Sequence, residues 1–168
     1  VNLKGNVVVI GGGNVAIDVA RVAARVGSSK VDMYCLESRS EMPALDEEIE
    51  EAMSEGITIN NSWGPKRMIA ENGRVVGVEF KRCVSVFDKN GKFNPVYDDR
   101  DTKVVDADSV LVSVGQAIDW GNLIAGSKIE LNPDKTIRAD LLTLQTGEPD
   151  VFAGGDVVTG AATVILAM

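Results

Sequence analysis

Residues 6–21 read NVVVIGGGNVAIDVAR, and this stretch decides the fold. A β-branched run from Asn6 to Ile10 breaks into glycines, which is typical of a buried strand in a parallel sheet. Apolar residues then recur at helical spacing, at Val15, Val19, Val22, Ala23 and Val26. Gly27 follows as a helix-ending residue, so the sequence predicts a strand, a glycine turn and a helix over residues 14–26.

The next segments continue this alternation of strand and helix. Residues 31–36 predict a second strand, residues 46–53 an acidic helix that ends before Gly56, and residues 57–59 a third strand. Strands that alternate with helices in this way are typical of a parallel sheet covered by helices.

The pattern changes beyond residue 66. Three strand-like segments follow, at residues 67–70, 74–86 and 103–106, and they are separated by the turn signals Asn72-Gly73 and Asn90-Gly91. Residues 109–114 then return as a buried strand that ends at Gly115. We therefore expect an α/β, Rossmann-like fold with an inserted antiparallel β-meander. From residue 117 onward the sequence predicts two weak strands and a helix over residues 163–168.

The glycine turn has the spacing Gly11-x-Gly13-x-x-Ala16. In such a turn the first glycine allows the tight bend and the second lets a pyrophosphate approach the backbone. The small third residue lets the helix pack closely. The helix N-terminus then presents unpaired N–H groups to the phosphates. The candidate dinucleotide-binding residues of this segment are Gly11, Gly12, Gly13, Asn14, Val15 and Ala16. The alternative is a purely structural turn.

An acid, Glu37, follows the second predicted strand, 24 residues after Gly13. A carboxylate at this place accepts hydrogen bonds from the adenosine ribose and repels a 2′-phosphate, so NAD(H) is favoured over NADP(H). Ser38 and Arg39 complete the candidate ribose segment, and Arg39 leaves a 2′-phosphate contact open. The alternative for Glu37 is an exposed loop glutamate. Asp18 and the acidic run at residues 46–51 are interpreted as solvated helix positions rather than as catalytic or metal-binding groups.

Composition excludes several classes of function. The chain of 168 residues has 17 Lys+Arg against 25 Asp+Glu, a formal net charge of −8, and no histidine. The acidic balance argues against nucleic acid or an anionic membrane as a partner. Without histidine, a Ser-His-Asp or Cys-His pair and a His-bound metal are impossible, and we expect neither a catalytic side chain nor a metal site.

The two cysteines, Cys35 and Cys83, are 48 residues apart and form no C-x-x-C motif. Each is therefore expected to be a buried, unreactive thiol on a strand. The longest apolar run, residues 161–168, is too short to span a bilayer, and no signal peptide is recognised. The expected location is the cytoplasm. Because the chain begins at Val1 and ends within an apolar segment, we expect it to be part of a longer protein.

Four segments together resemble a known family: GGGNVAIDVAR from Gly11, the stretch through Glu41-Met42-Pro43-Ala44, LVSVGQ from Leu111, and VFAGGDVVTGAATV from Val151. In this order they resemble the pyridine nucleotide-disulfide oxidoreductase flavoproteins, in particular the small (beta) subunit of glutamate synthase and related FAD-dependent oxidoreductases. The resemblance implies an enzyme that passes a hydride from NAD(P)H to FAD and then electrons to an iron–sulfur or catalytic partner subunit.

The same resemblance implies further site residues. Gly115 and Gln116 would close over the nicotinamide cofactor, Asp156 would contact the ribityl chain of FAD, and Thr163 would begin a helix facing the flavin. Two arginines usually stand where this chain has Leu36-Glu37, and this departure again favours NADH. Asp156 after two glycines could also be only a turn residue.

The expected domains are an NAD(P)-binding domain over residues 1–116 and the end of a truncated FAD-binding domain over residues 117–168. The first FAD-binding glycine loop should then lie upstream of Val1. We expect FAD to bind only in the full-length protein, and this chain to bind NAD(H) without turning it over. The alternatives are a non-catalytic NAD(H)-binding redox sensor and an S-adenosylmethionine-dependent methyltransferase, the second disfavoured by the meander.

Overall fold

The structure is a computed structural model that describes residues 3–161 and residue 165. The chain divides into two compact units, Val1–Gly115 and Gln116–Met168. The elements of the first unit are, in chain order, β1 (Asn6–Ile10), α1 (Asn14–Arg25), β2 (Lys30–Tyr34), α2 (Asp46–Ser54), β3 (Thr58–Asn60), β4 (Trp63–Glu71), β5 (Arg74–Phe87), β6 (Phe93–Asp106) and β7 (Ser109–Val112).

Four strands form a parallel sheet in the order β3-β2-β1-β7. The central strand β1 is apolar on both faces because both faces are covered. Val7 and Val9 pack into a cluster with the helices, whereas Val8 and Ile10 pack into a second cluster with residues of the meander. The predicted buried parallel strand and the predicted α/β class are confirmed.

The buried face of α1 differs from the predicted one. Its fully buried residues are Ala16, Ile17, Ala20 and Ala23. Val15, Val22 and Val26, which the helical spacing assigned to the apolar stripe, are about half exposed or more. The prediction was wrong at these three positions because a face of small side chains lets the helix approach the sheet more closely than valines would.

The antiparallel sheet has the order β4-β5-β6. Asn72 and Gly73 have φ of +50° and +75°, as the predicted hairpin turn requires. Strand β6 is longer than predicted: it begins at Phe93, and the sequence indicated only its last four residues. Pro95 and the polar residues 98–101 hide the strand pattern, and pairing with β5 across several bulges stabilises it instead.

The face of the meander that meets the parallel sheet carries Val78 and Phe80, both fully buried. Tyr34 of β2 stacks on Phe80 with ring centroids 4.1 Å apart. Trp63 and Val105 pack against the same cluster. The meander therefore supplies the cover that helices provide on the other face of the parallel sheet.

The second unit has little regular structure. Its two predicted strands are only single bridges, Leu131 with Ile137 and Gln145 with Phe152, and a short helix α3 spans Asp156–Thr159. The helix predicted over residues 163–168 lies outside the described residues. Among the residues that are described, no helix is long and apolar enough to cross a membrane.

Candidate functional site

A cavity of about 520 Å³ opens where the parallel strands β1, β2 and β7 end. Ligand sites in open α/β sheets lie at this edge. It is lined, in chain order, by residues 10–15 and 34–37, Pro43, Trp63, Pro65, Phe93, Tyr97, and residues 113–115. The lining therefore combines the glycine turn, the acid after β2, and side chains of the meander.

The glycine turn lies at the base of this cavity and depends on Gly11. Gly11 has φ of +145°, and its N–H donates to the Tyr34 carbonyl at 2.9 Å. A Cβ atom on Gly11 would lie 2.2 Å from the carbonyl oxygen of Ser113, so a side chain cannot be accommodated. A Cβ atom on Gly13, in contrast, would meet only the Pro43 ring, at 3.9 Å. The backbone of the turn is therefore tightly packed at Gly11 and accessible at Gly13.

The N-terminus of α1 is available to an anion. In the described part of the chain, no protein acceptor is found for the N–H groups of Gly12, Gly13, Asn14 and Val15. The N-cap residue is Gly13, which has no side chain to cap the helix, and the Asn14 side chain accepts a hydrogen bond from Leu45 N–H at 2.9 Å. Four unpaired donors beside an open glycine backbone suit a pyrophosphate.

Glu37 lies next to this turn. Its Oε2 is 2.7 Å from the place that a Cβ atom on Gly12 would occupy. Its carbonyl accepts hydrogen bonds from Ser62 N–H at 3.0 Å and from the Asn61 side chain at 3.2 Å. Ser62 adopts φ of +63°, an unusual conformation for a residue with a side chain. Asn61 and Ser62, which connect β3 and β4, thus hold the backbone of Glu37 in place. The Glu37 carboxylate reaches the glycine turn.

The other predicted residues are placed less uniformly. The Ser38 hydroxyl donates a hydrogen bond to the Glu41 carboxylate at 2.6 Å, and the Ser38 N–H donates another at 3.2 Å. These two hydrogen bonds lower the pKa of Glu41. Arg39 pairs with Asp46 at 2.7 Å. Ser38 and Arg39 are not among the residues that line the cavity, whereas Gly115 is. Ala16 is fully buried beneath the turn.

The structure brings together Gly11, Gly12, Gly13, Asn14, Val15, Glu37 and Gly115. Gln116 and Asp156 belong to the second unit, where Asp156 begins α3. Thr163 lies outside the described residues. The contacts predicted for these three stay predictions.

Sequence reasoning missed the side chains that the meander contributes to the cavity lining. Trp63, Phe93 and Tyr97, which we call the aromatic wall, project into it together with Pro65. The signals were present: Trp63 follows the third parallel strand, and Phe93 and Tyr97 are spaced for one face of a strand. The predicted meander omitted the first ten residues of β6, so these side chains had no expected position.

The cysteines are buried and free. Burial raises the pKa of Cys35 to about 12, and burial also raises the pKa of Cys83. Both thiols therefore stay protonated near neutral pH and are poor nucleophiles. Among the described residues no group of His, Cys, Asp and Glu side chains is arranged to hold a metal ion. The acids of α2 instead pair with α1, since Arg21 contacts Glu48 and Glu55.

A family model described as pyridine nucleotide-disulphide oxidoreductase matches residues 1–168. The chain is 39% identical over 169 residues to the NADP(+)-dependent formate dehydrogenase subunit beta of Moorella thermoacetica, covering 99% of this chain and 24% of that protein. It is 31% identical over 176 residues to the glutamate synthase [NADPH] small chain of Halomonas elongata, covering 100% and 36%. The chain thus spans about a quarter to a third of the length of these relatives.

Solved structures show the same fold. Thioredoxin reductase of T. acidophilum matches with a TM-score of 0.75 and 19% identity, over 99% of this chain and 53% of that chain. FprA of Mycobacterium tuberculosis, in complex with NADPH, matches with a TM-score of 0.71 and 16% identity, over 96% and 49%. These likenesses confirm the expected α/β architecture.

Proposed function

Since this chain belongs to the pyridine nucleotide-disulphide oxidoreductase family, we propose that it is the nicotinamide-dinucleotide-binding part of a flavoprotein oxidoreductase. The observation that carries the proposal is the cavity in which an open glycine backbone, unpaired helix N–H groups and Glu37 meet. The glycine backbone and the helix N–H groups suit a pyrophosphate, and Glu37 suits the ribose next to it.

The chain's own contribution to the reaction is binding and orientation. A bound nicotinamide dinucleotide would supply a hydride to FAD. The backbone N–H groups from Gly12 to Val15 hold the phosphates, and residues 113–115 line the cavity on the β7 side. The raised pKa of Cys35 keeps that thiol neutral in the cavity wall. No side chain of this cavity is needed as an acid, a base or a nucleophile.

We further propose that NAD(H) is preferred over NADP(H). The Glu37 carboxylate beside Gly12 would repel a 2′-phosphate, and Arg39 is engaged with Asp46. The relatives above are named for NADP(+) or NADPH, so the nucleotide preference is the point at which this chain would differ from them. Measuring the preference for NAD(H) over NADP(H) therefore tests the proposed role of Glu37 directly.

For the longer protein we propose the activity that the family resemblance implies. FAD would bind in a domain that includes residues 117–168, with Gln116, Asp156 and Thr163 as contacts, and residues 1–116 would form the nucleotide domain. Electrons would then pass to an iron–sulfur or catalytic partner subunit. Two relatives are named as a glutamate synthase small chain and a formate dehydrogenase subunit beta, which supports the proposal that the protein acts as one subunit of a larger enzyme. Free Cys35 and Cys83 suit the reducing cytoplasm.

The test is a titration of the chain with NADH and NADPH by isothermal calorimetry. We expect saturable binding of NADH, tighter than that of NADPH. Replacing Glu37 with Arg should shift the ratio of the two affinities toward NADPH by about tenfold or more, because a repulsion becomes a charge-assisted hydrogen bond.

Glu47→Arg is the matched control, since it makes the same charge change at an exposed position of α2 outside the cavity lining. It should leave the affinity ratio unchanged. Equal responses of the two variants would refute the role of Glu37, and a failure of wild-type protein to bind either dinucleotide would refute the proposed function.

A further inference from the structure

The cavity continues beyond Glu37 onto the aromatic wall, which the phosphate and ribose contacts leave unused. Trp63 begins β4 just after the parallel strand β3 ends at Asn60, whereas Phe93 and Tyr97 come from β6 of the meander. Leu36 lies between the acid and the wall: a Cβ atom on Gly64 would meet Tyr97 Cε1 at 2.5 Å and Leu36 Cδ2 at 2.9 Å. The wall is therefore continuous with the segment that carries Glu37.

The order of the strands indicates which end of a dinucleotide reaches this wall. The sheet runs β3-β2-β1-β7, with the glycine turn after β1, Glu37 after β2 and residues 113–115 after β7. A dinucleotide is linear, with its pyrophosphate between two nucleosides. If the pyrophosphate lies on the turn and one ribose on Glu37, the base of that nucleoside is directed toward β3 and Trp63. The other nucleoside is directed toward β7.

Two rings of the aromatic wall, those of Trp63 and Tyr97, lie against cations, whereas Phe93 packs edge-on against Phe87 with ring centroids 6.3 Å apart. Lys103 Nζ lies 4.2 Å from the centre of the Trp63 ring and 4.7 Å from that of Tyr34. Arg82 Cζ lies 5.2 Å from the Trp63 ring, and Lys81 Nζ lies 4.1 Å from the Tyr97 ring. Such contacts fix an aromatic ring before a ligand arrives, and little side-chain entropy is then lost on binding.

We propose that the aromatic wall binds the adenine base, so that the inserted meander, and not the parallel sheet alone, determines recognition of the adenosine half of the dinucleotide. This inference rests on the proposed function and extends it to residues of β4 and β6. Adenine is flat and aromatic, and stacking on indole or phenyl rings is the favourable way to bind it in an apolar cavity.

The test separates the two halves of the dinucleotide. ADP-ribose carries the adenosine half without nicotinamide, and reduced nicotinamide mononucleotide carries the other half without adenosine. We expect Phe93→Ala and Tyr97→Ala each to weaken ADP-ribose and NADH by about tenfold in calorimetric titrations, and to leave the mononucleotide unaffected. Phe93 is 58% exposed, so its replacement should not disturb folding, which circular dichroism would verify.

Val104→Ala is the matched control. Val104 lies on the same strand as Phe93, is 59% exposed, and is not among the residues that line the cavity. A second readout uses tryptophan fluorescence in a Trp120→Phe background, which leaves Trp63 as the single tryptophan of the chain. ADP-ribose should quench this emission saturably, and the mononucleotide should not.

The outcomes distinguish this inference from the proposed function. Wild-type affinity for ADP-ribose in Phe93→Ala and Tyr97→Ala, while NADH still binds, would overturn the adenine site and leave dinucleotide binding intact. A larger loss for the mononucleotide than for ADP-ribose would assign the wall to nicotinamide and also overturn it. If ADP-ribose binds at the wall but neither dinucleotide binds, the adenine site stands and the proposed function fails. If none of them binds, both fail.

Discussion

The parallel sheet and the meander contribute to one cavity by different means. The parallel sheet presents backbone: Gly11 has no room for a side chain, and the adjacent N–H groups have no protein acceptor among the described residues. The meander presents side chains on strands of up to 14 residues, one face packed on Tyr34 and the other exposed at Val84 and Val104. A backbone site tolerates few sequences, whereas a side-chain site can change its ligand preference and keep its fold.

The largest expected effect would come from breaking the contact between the two regions. Phe80 is fully buried and stacks on Tyr34. Phe80→Ala should lower the free energy of unfolding by about 4 kcal/mol, as is usual for a large core aromatic. Urea denaturation monitored by circular dichroism would measure it.

Val84→Ala on the same strand, 65% exposed, should cost less than about 0.5 kcal/mol. If Phe80→Ala proved as mild as this control, the meander would not depend on the parallel sheet for its stability.

The next effect concerns the glycine turn. Gly11→Ala should lower the free energy of unfolding by about 3 kcal/mol, because it combines backbone strain with a clash against Ser113. Gly27→Ala isolates the strain, since Gly27 has φ of +100° and nothing within 4 Å of a Cβ atom.

We expect about 1 kcal/mol for Gly27→Ala. The additional loss of stability in Gly11→Ala reports chiefly the clash with Ser113, and equal midpoints would show that the turn can relax around a methyl group.

A smaller effect is expected on local unfolding, which should be easier in the meander than in the parallel sheet. Cys35 directly follows β2, and Cys83 lies in β5, so each region carries one buried thiol. In the single-cysteine variants Cys83→Ala and Cys35→Ala, we expect Cys83 to react with a disulfide reagent about tenfold faster than Cys35 under native conditions. A sheet with one exposed face opens at lower free energy than one covered on both faces.

The pKa of Cys35, raised to about 12 by burial, adds to this difference. Identical labelling rates would mean that the two regions open as one cooperative unit.

The smallest expected effect is on acid stability. Hydrogen bonds from Lys66 and Arg67 lower the pKa of Glu79 in the meander, and hydrogen bonds from Arg21 and Arg25 lower the pKa of Glu55 at the end of α2. A carboxyl whose pKa is lowered by folding adds stability above its ordinary pKa. That stability is lost as the pH falls through the lowered value.

Glu79→Gln and Glu55→Gln should therefore flatten the fall in unfolding free energy between about pH 5 and pH 3. The effect should be larger for Glu79, because its side chain is 11% exposed and that of Glu55 is 27% exposed. A steeper fall in either variant would contradict the assigned sign.

The sequence predicted the parallel sheet and its glycine turn better than it predicted the meander. The bounds of β1, the start of α1 and the position of Glu37 follow from local patterns, because a glycine turn and a β-branched run leave few conformations. The buried face of α1 was predicted incorrectly, since Val22 is exposed and Ala20 is not. The position of Tyr97 depends on pairing with Cys83, a partner 14 residues away that no local pattern identifies.

Among the residues that the structure describes, those that line the cavity all fall between Ile10 and Gly115, within one compact unit of the chain. The cavity lining is thus encoded by one stretch of about 106 codons. Recombination could move such a stretch between genes as a single exchange, and under the proposed function the choice of nucleotide would travel with it. The family could then diversify its electron donors independently of the reactions that those electrons serve.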